Sequence, residues 1–460
     1  MIPSHIFREY DIRGVAETDL TSPLIERLGL ALAQMLREPG KPLRVVVLRD
    51  CRLSGPRLQA ALTTGLVRGG AQVIDIGVGP TPLMYFAVHH LAASGGIMIT
   101  GSHNPGPENG FKIMKGTGPF YGQQIQELRG LIERDARASG ATSPGSIEHR
   151  DVEADYVATL TRAVKIARTD IRFAVDAGNG SAGPLGLKTL RALGFDPITL
   201  YCEMDGTFPN HHPDPTVPKN LAALIETVRT NKQLVGLAWD GDGDRLGVVD
   251  GSGAMIWGDR LLALFARHVL RAQPGSKVIG DVKCSQTLFD DVNRHGGTGI
   301  MWKTGHSLIK QKMKDEGAVL AGEMSGHFFF ADRYFGYDDG IYAALRILEI
   351  VSEHGKSVSE LLADLPERSS TPEIRVACPD ALKFQVVERA KQHFRGKITL
   401  VEIDGARITY DDGSWGLVRA SNTGPLLVVR CEAPSPARLN EVQGELQGVI
   451  DRILHELGAA

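Results

Sequence analysis

The feature that most constrains the fold is a rhythm. Short apolar runs, each closed by a polar or glycine-rich turn, alternate with longer stretches of helical periodicity. Strand-like runs stand at residues 45–48, 73–76 and 97–100, and the same unit returns at 173–175, 234–239 and 277–279. A strand covered on both faces reads as a continuous apolar run, and its parallel neighbour is reached through a helix. The rhythm therefore predicts parallel sheets covered by helices. Ser22-Pro23 fits an N-cap with proline at the first helical position, opening a helix through about Leu36. The runs end in turns such as Arg49-Asp50, Asp176-Ala177-Gly178-Asn179-Gly180, Asp240-Gly241-Asp242 and Asp281-Val282-Lys283. Ligands of open α/β sheets bind beyond the carboxyl ends of the strands. Several α/β modules facing one cleft are the expected arrangement.

A chain of 460 residues has room for about three domains and more than one sizeable core. Linker-like segments occur at Ser143-Pro144-Gly145-Ser146 and at 366–372, which contains Ser369-Ser370-Thr371. Asp250-Gly251-Ser252-Gly253 reads as a hairpin turn with a boundary close by. Beyond residue 372 the βα rhythm fades. A net charge of -3 leaves no electrostatic footprint for nucleic acid or an anionic membrane. No apolar run is long enough to span a bilayer, and the N-terminus lacks an apolar signal core. The five cysteines are scattered, with no Cys-x-x-Cys, which fits reduced thiols in a cytosolic protein and argues against zinc.

Two segments carry the chemistry. Asp240-Gly241-Asp242-Gly243-Asp244-Arg245 follows an apolar strand, and its i, i+2, i+4 spacing lets one loop aim three carboxylates at one centre. Hard cations such as Mg²⁺ take oxygen ligands, and carboxylates so close need a cation to offset them. An EF-hand does not fit, because Arg245 stands where its glycine belongs and Gly251 where its glutamate belongs. A solvated acidic turn is the alternative. The second segment is Thr100-Gly101-Ser102-His103-Asn104-Pro105, which taken alone is an ordinary serine turn. Beside an oxygen-ligand metal loop it reads as a serine that carries a phosphoryl group. A Ser-His-Asp hydrolase is disfavoured, since the Gly-x-Ser-x-Gly elbow is missing and His103 is a sequence neighbour of the serine.

Further constellations add polar grip. Gly322-Glu323-Met324-Ser325-Gly326-His327 gathers a carboxylate, a hydroxyl and an imidazole that can hold sugar hydroxyls; a helix-capping turn is the alternative. Arg419-Ala420-Ser421-Asn422-Thr423-Gly424-Pro425 combines a guanidinium fork with hydroxyl and amide donors, suited to a phosphate monoester or else a plain polar turn. His211-His212, flanked by Pro213 and Pro215, is read as a structural loop.

With Tyr10-Asp11-Ile12-Arg13-Gly14 near the start, these motifs resemble, in order and over nearly the whole chain, the α-D-phosphohexomutases, most closely their bacterial phosphomannomutase/phosphoglucomutase branch. The resemblance implies three successive α/β domains with mixed sheets and a smaller α+β C-terminal domain around a deep central cleft. With the linkers above, the boundaries fall at 1–147, 148–253, 254–367 and 368–460. It implies an isomerase that interconverts hexose 1-phosphate and hexose 6-phosphate through phosphoserine and a glucose or mannose 1,6-bisphosphate. Ser102 would be the phosphoserine, and Asp240, Asp242 and Asp244, with an oxygen on Ser102, the Mg²⁺ ligands. Arg245, His103 and Lys112 would flank the transferred group. Glu323, Ser325 and His327 would read the sugar, and Arg419, Ser421, Asn422 and Thr423 would hold the other phosphate. Lys283, His306, Tyr10 and Arg13 complete the cleft, and Lys112, His306 and His327 are the candidate proton carriers. Cys51 stands where relatives commonly have glycine, outside these motifs. Sugar phosphates are the expected partners of a cytoplasmic monomer, a dimer remaining open. Phosphoglucosamine mutase, with glutamine usual at the position of Met324, a metal-assisted sugar phosphatase, and a non-catalytic sensor are the rival readings.

Overall fold

The computed structural model describes residues 3–134, 143–422 and 424–458. Four sheets follow one another along the chain. The first is ordered Ile12–Val15, Glu108–Lys115, Gly95–Ile99, Arg44–Arg49, Gln72–Val78, Ser146–His149, with Gly118–Pro119 pairing Glu108–Lys115. Its inner strands are parallel, and Glu108–Lys115 runs antiparallel to Gly95–Ile99. The apolar run in Arg44–Arg49 is explained by its two faces. Val45 and Val47 enter one core with the helices Ser22–Leu36 and Gly55–Arg68; Val46 and Leu48 enter another with the helix Thr81–His90.

The second sheet is ordered Met255–Ile256, Leu246–Asp250, Val235–Trp239, Phe173–Asp176, Ile198–Leu200. The third runs Thr298–Trp302, Lys277–Asp281, Leu320–Gly322, Phe328–Phe330, its first three strands parallel. The C-terminal sheet is antiparallel: Ser369–Ser370, Leu426–Ala433, Trp415–Ala420, Ala406–Thr409, Thr399–Val401, with Ile374–Ala377 also pairing Leu426–Ala433. The helices Lys383–Phe394 and Pro436–Glu456 supply its core.

One apolar cluster extends from Val46 to Leu365 and joins the first three sheets, whereas the C-terminal sheet has a cluster of its own. Several sequence expectations shift. Thr21, not Ser22, is the N-cap, and Ser22 already belongs to the helix. Proline lacks only an N–H that the first turn would leave unbonded anyway, so Pro23 does not fix the cap to one residue. The first sheet runs on to His149 and the second to Ile256, past residues 147 and 253. The 366–372 segment is not a free linker, for Ser369 and Ser370 pair with Ala433 and Glu432. The 250–253 hairpin is present between Leu246–Asp250 and Met255–Ile256. All five cysteines are free thiols. Among the described residues no helix is long and apolar enough to cross a membrane.

Candidate active site

The strand Gly95–Ile99 delivers Ser102 to the cleft in a left-handed conformation, φ 49°. Thr100 holds it there: its Oγ1 accepts from the Ser102 N–H at 2.7 Å and donates to Asp50 Oδ2 at 2.7 Å. Ser102 Oγ donates to Asp240 Oδ2 at 2.9 Å and lies 3.0 Å from His103 Nδ1. The aspartate loop comes this close because Gly241 has no side chain. A Cβ there would stand 2.3 Å from the Ser102 carbonyl oxygen.

Asp240, Asp242 and Asp244 are fully buried, and their oxygens lie within 4.8 Å of one another. Lys112, on the neighbouring strand Glu108–Lys115, donates to Asp242 Oδ2 at 2.6 Å and to Asp244, and Thr81 donates to Asp242. Burial raises Asp242, but Lys112 and these hydrogen bonds outweigh it and leave its carboxyl below the usual range. Burial and the two neighbouring carboxylates push Asp240 well above it. Burial lowers Lys112, yet the aspartates prevail and hold the ammonium charged. Asp242 and Asp244 thus share one ammonium while Asp240 faces Arg245 at 4.0 Å, and Asp242 Oδ1 and Asp244 Oδ1 are buried without a hydrogen-bond partner. Unpaired oxygens converging beneath a serine fit a hard divalent cation.

The second and third sheets meet beside this centre. Arg245 bridges His327, and its Nε donates to His327 Nε2 at 3.0 Å. The other ring nitrogen, Nδ1, lies 3.0 Å from Asp338 Oδ2, and Lys310 neutralises Asp338 from behind at 2.9 Å. His327 Nε2 is therefore committed to Arg245, while Nδ1 faces the Asp338 carboxylate without a hydrogen bond. His306 has no such commitment: burial pulls it well below its usual range, and neither nitrogen has a hydrogen-bond partner.

All three parallel strands of the third sheet end at the cleft, as the strand-then-turn pattern predicts. Lys277–Asp281 delivers Lys283, Thr298–Trp302 delivers His306, and Leu320–Gly322 delivers Glu323, Ser325 and His327. Asp281 ties these loops together, accepting from Thr304 Oγ1 at 2.9 Å and from the Met324 N–H at 3.2 Å. Glu323 accepts from the Gly305 N–H at 3.1 Å and from Ser325 Oγ at 3.0 Å. Its segment is a strand-to-strand turn, not a helix cap.

From the C-terminal sheet, Trp415–Ala420 presents Arg419, whose Nε donates to Asp404 Oδ2 at 2.9 Å. Ser421 and Asn422 follow it at the cleft, while Thr423 lies outside the described residues. Tyr10 stands edge-on to His306 with ring centroids 5.2 Å apart, and burial pushes its hydroxyl up to about 12. Arg13 donates to Asn104 Oδ1 at 2.9 Å. The cleft has a volume of about 930 Å³ and brings together every expected residue among those described, apart from the three aspartates, which are buried beside Ser102.

His211 is structural, its Nε2 lying 3.1 Å from both Asp176 oxygens, but His212 lines the cleft, as does Trp257. The expectation of a structural loop at the histidine pair holds for His211 and not for His212, and no sequence motif marks Trp257, Thr81, Asp338 or Asp404. The strand-then-polar-turn pattern does mark Arg49-Asp50, the one sequence sign of the support behind Ser102.

Four family models match in order: phosphoglucomutase/phosphomannomutase alpha/beta/alpha domain I over residues 4–138, domain II over 154–253, domain III over 257–369, and the C-terminal domain over 373–448. A phosphomannomutase/phosphoglucomutase from Pseudomonas aeruginosa is 46% identical over 96% of this chain and 94% of its own. A phosphoglucomutase from Neisseria meningitidis is 44% identical over 98% and 97%. The crystal structure of a phosphoglucomutase/phosphomannomutase family protein from Burkholderia thailandensis superposes with a TM-score of 0.91 at 42% identity, covering 98% of each chain. Four matched domains and relatives alike from end to end place this chain in the phosphoglucomutase/phosphomannomutase family.

Proposed function

We propose that the chain interconverts hexose 1-phosphate and hexose 6-phosphate, with glucose or mannose as the sugar, through a phosphoserine at Ser102. The observation that carries this reading is Ser102 Oγ, 2.9 Å from one of three converging buried aspartates, on the floor of a cleft whose far wall is Arg419. A nucleophile at one end and a guanidinium fork at the other suit a sugar that carries phosphate at either position.

Asp240, Asp242 and Asp244 would hold Mg²⁺ together with an oxygen on Ser102, and the ion would supply neutralising charge for a phosphoryl group there. Phospho-Ser102 gives its phosphoryl to the free hydroxyl of a sugar monophosphate. The O–P bond to Ser102 breaks, a bond to the sugar oxygen forms, and the hydroxyl proton leaves to a base. The resulting 1,6-bisphosphate turns over in the cleft, and Ser102 takes back the other phosphoryl group. Arg245, Lys112 and His103 flank the group in flight, and positioning with charge stabilisation accounts for most of the rate. Glu323 and Ser325, already oriented by Gly305, read the sugar hydroxyls. Arg419, Ser421, Asn422 and Thr423 hold the resting phosphate, with Lys283, Tyr10 and Arg13 around them. Of the three candidate proton carriers, His306 has two unpartnered nitrogens and a neutral ring, which favours it as the base.

The test is peptide mapping of the purified protein, joined to rates on glucose 1-phosphate and mannose 1-phosphate with catalytic bisphosphate and Mg²⁺. Phosphate is expected on Ser102, and Ser102→Ala should abolish isomerisation. Full activity in that variant, or release of inorganic phosphate in place of isomerisation, would refute the reading.

A further inference from the structure

Arg52 is wholly buried, yet it touches no substrate-facing atom. Its guanidinium sits behind the serine loop, and four backbone carbonyls of that loop converge on it. Nη2 donates to Ser102 O at 2.8 Å and to Asn104 O at 2.6 Å; Nη1 donates to Pro105 O at 2.8 Å and to Glu108 O at 2.9 Å. Nε faces Asp50 Oδ2 at 3.2 Å, and Asp50 Oδ1 accepts from the Arg52 N–H at 3.0 Å. The four terminal N–H groups of the fork are thereby directed at the loop, and Nε lies beside the carboxylate that also anchors Thr100 without a hydrogen bond to it.

Two further contacts show that the space was built for this side chain. A Cβ on Gly101 would stand 2.5 Å from the guanidinium carbon, so the residue before the nucleophile is bare where the fork passes. On the other side the ring of Phe208, from the second domain, lies under the guanidinium with its centroid 5.2 Å away. The loop is therefore curled around a cation. Its carbonyls point backward to Arg52, and Ser102 points forward to Asp240. Left-handed backbone is unfavourable for serine and persists only where its surroundings over-determine it.

We propose that Arg52 is a positioning residue for phosphoryl transfer: its fork fixes the serine loop so that the Ser102 hydroxyl, and the phosphoryl group it carries, stay aligned on the aspartate centre. This rests on the reading of Ser102 as the phosphoserine. Charge alone does not do it. A lysine ammonium has three donors on a flexible stem and cannot meet four carbonyls at once. Misplacing a reacting group by about an ångström costs on the order of a hundredfold in rate.

The experiment compares wild type, Arg52→Lys and Ser102→Ala for melting temperature, Ser102 phosphate by intact mass, and steady-state rates on glucose 1-phosphate. Arg52→Lys should fold and lose about a hundredfold in kcat. Its KM for glucose 1-phosphate should stay within about threefold, because Arg419 and the sugar-reading loop are untouched. In Arg52→Ala, added methylguanidinium should restore part of the lost kcat by filling the vacated site. If Arg52→Lys does not fold, the rescue of Arg52→Ala decides alone. An Arg52→Lys enzyme with kcat within about threefold of wild type would overturn the proposal. So would an Arg52→Ala enzyme that methylguanidinium fails to rescue, since Arg52 would then serve stability only. A fully active Ser102→Ala enzyme would instead remove the phosphoserine reading, whatever Arg52→Lys did.

Discussion

Trp239 and Trp415 are both buried tryptophans, but they stand at two kinds of join. Trp239 ends the strand that feeds the metal loop. It belongs to the apolar cluster shared by the first three sheets, and its indole N–H crosses to the third domain to donate to Gly340 O at 2.9 Å. Trp415, in the C-terminal sheet, shares a small cluster with Val282 and Leu417, with Met301 packed against it. Its surroundings are polar. Arg407 lies 3.9 Å over its ring and donates to Val282 O at 2.6 Å and Cys284 O at 2.8 Å; Arg430 donates to Lys283 O; Ser285 Oγ donates to Glu432 at 2.7 Å. An apolar join scales with area and is lost all at once when opened. A polar join is a set of directional bonds, each a net gain of about 1 kcal/mol because water can replace it. The difference teaches a division of labour. On the proposed reading, phosphoryl chemistry would be set in the block with the shared apolar core, and the resting phosphate would be gripped by the domain held through polar bonds.

The heaviest test of that contrast is Trp239→Ala. It should cost roughly 3–5 kcal/mol of stability and lower the unfolding of the first three domains as one transition. Calorimetry showing that only the second domain loosens would break the contrast. Next comes Arg419→Ala, which should cost roughly 2–5 kcal/mol in kcat/KM while Ser102 stays phosphorylated. Steady-state rates with intact mass check it, and loss of the phosphate too would mean that the two regions are not separable. Third, small-angle scattering should show a smaller radius of gyration with glucose 1-phosphate than without. An unchanged radius together with an active Arg419→Ala enzyme would exclude movement of the C-terminal domain.

The smallest effect is one of pH. Lys283 and Glu373 pair across the polar join at 3.3 Å, and Lys283 pulls the Glu373 carboxyl from its ordinary 4.5 down to about 2. A carboxyl lowered in the folded state stabilises fully above pH 4.5, and the gain fades as pH falls toward about 2. Acid titration should loosen the C-terminal domain within that window, followed through Trp415 fluorescence. Glu373→Gln should show less of this dependence, and an identical curve would remove the ion pair from the account.

Local patterns in the chain carry much of the fold and of the site. Runs such as 234–239 declare a strand because both faces are buried, and the turn after it declares a site because nothing apolar follows. What they do not carry is whatever depends on distant segments meeting. Thr81 reaches Asp242 across 161 positions and Arg52 reaches Ser102 across 50, spacings that leave no local pattern. Cys51 lies outside the functional motifs. Yet its neighbour Arg52 backs the Ser102 loop, and its own thiol reaches Asn179 O at 3.5 Å across the domain junction. The 366–372 segment misleads in the other direction. Serine and proline suggest a free tether, but Ser369 and Ser370 use only their backbone to join a sheet edge, and composition does not record that.

The two faces of the first sheet mature at different times during synthesis. One is closed by residues between Ile6 and Ile132, so it is complete once that stretch has emerged. The other, with Val46 and Leu48, shares its cluster with Leu345, Leu348 and Leu365. The helix Thr81–His90 covers that face early, but at about 5–20 residues per second the cluster around it stays incomplete for roughly ten seconds or more after the first core has closed. For that interval the apolar residues of this helix that belong to the larger cluster await their partners, and the C-terminal domain, with a core of its own, can fold last without reopening it.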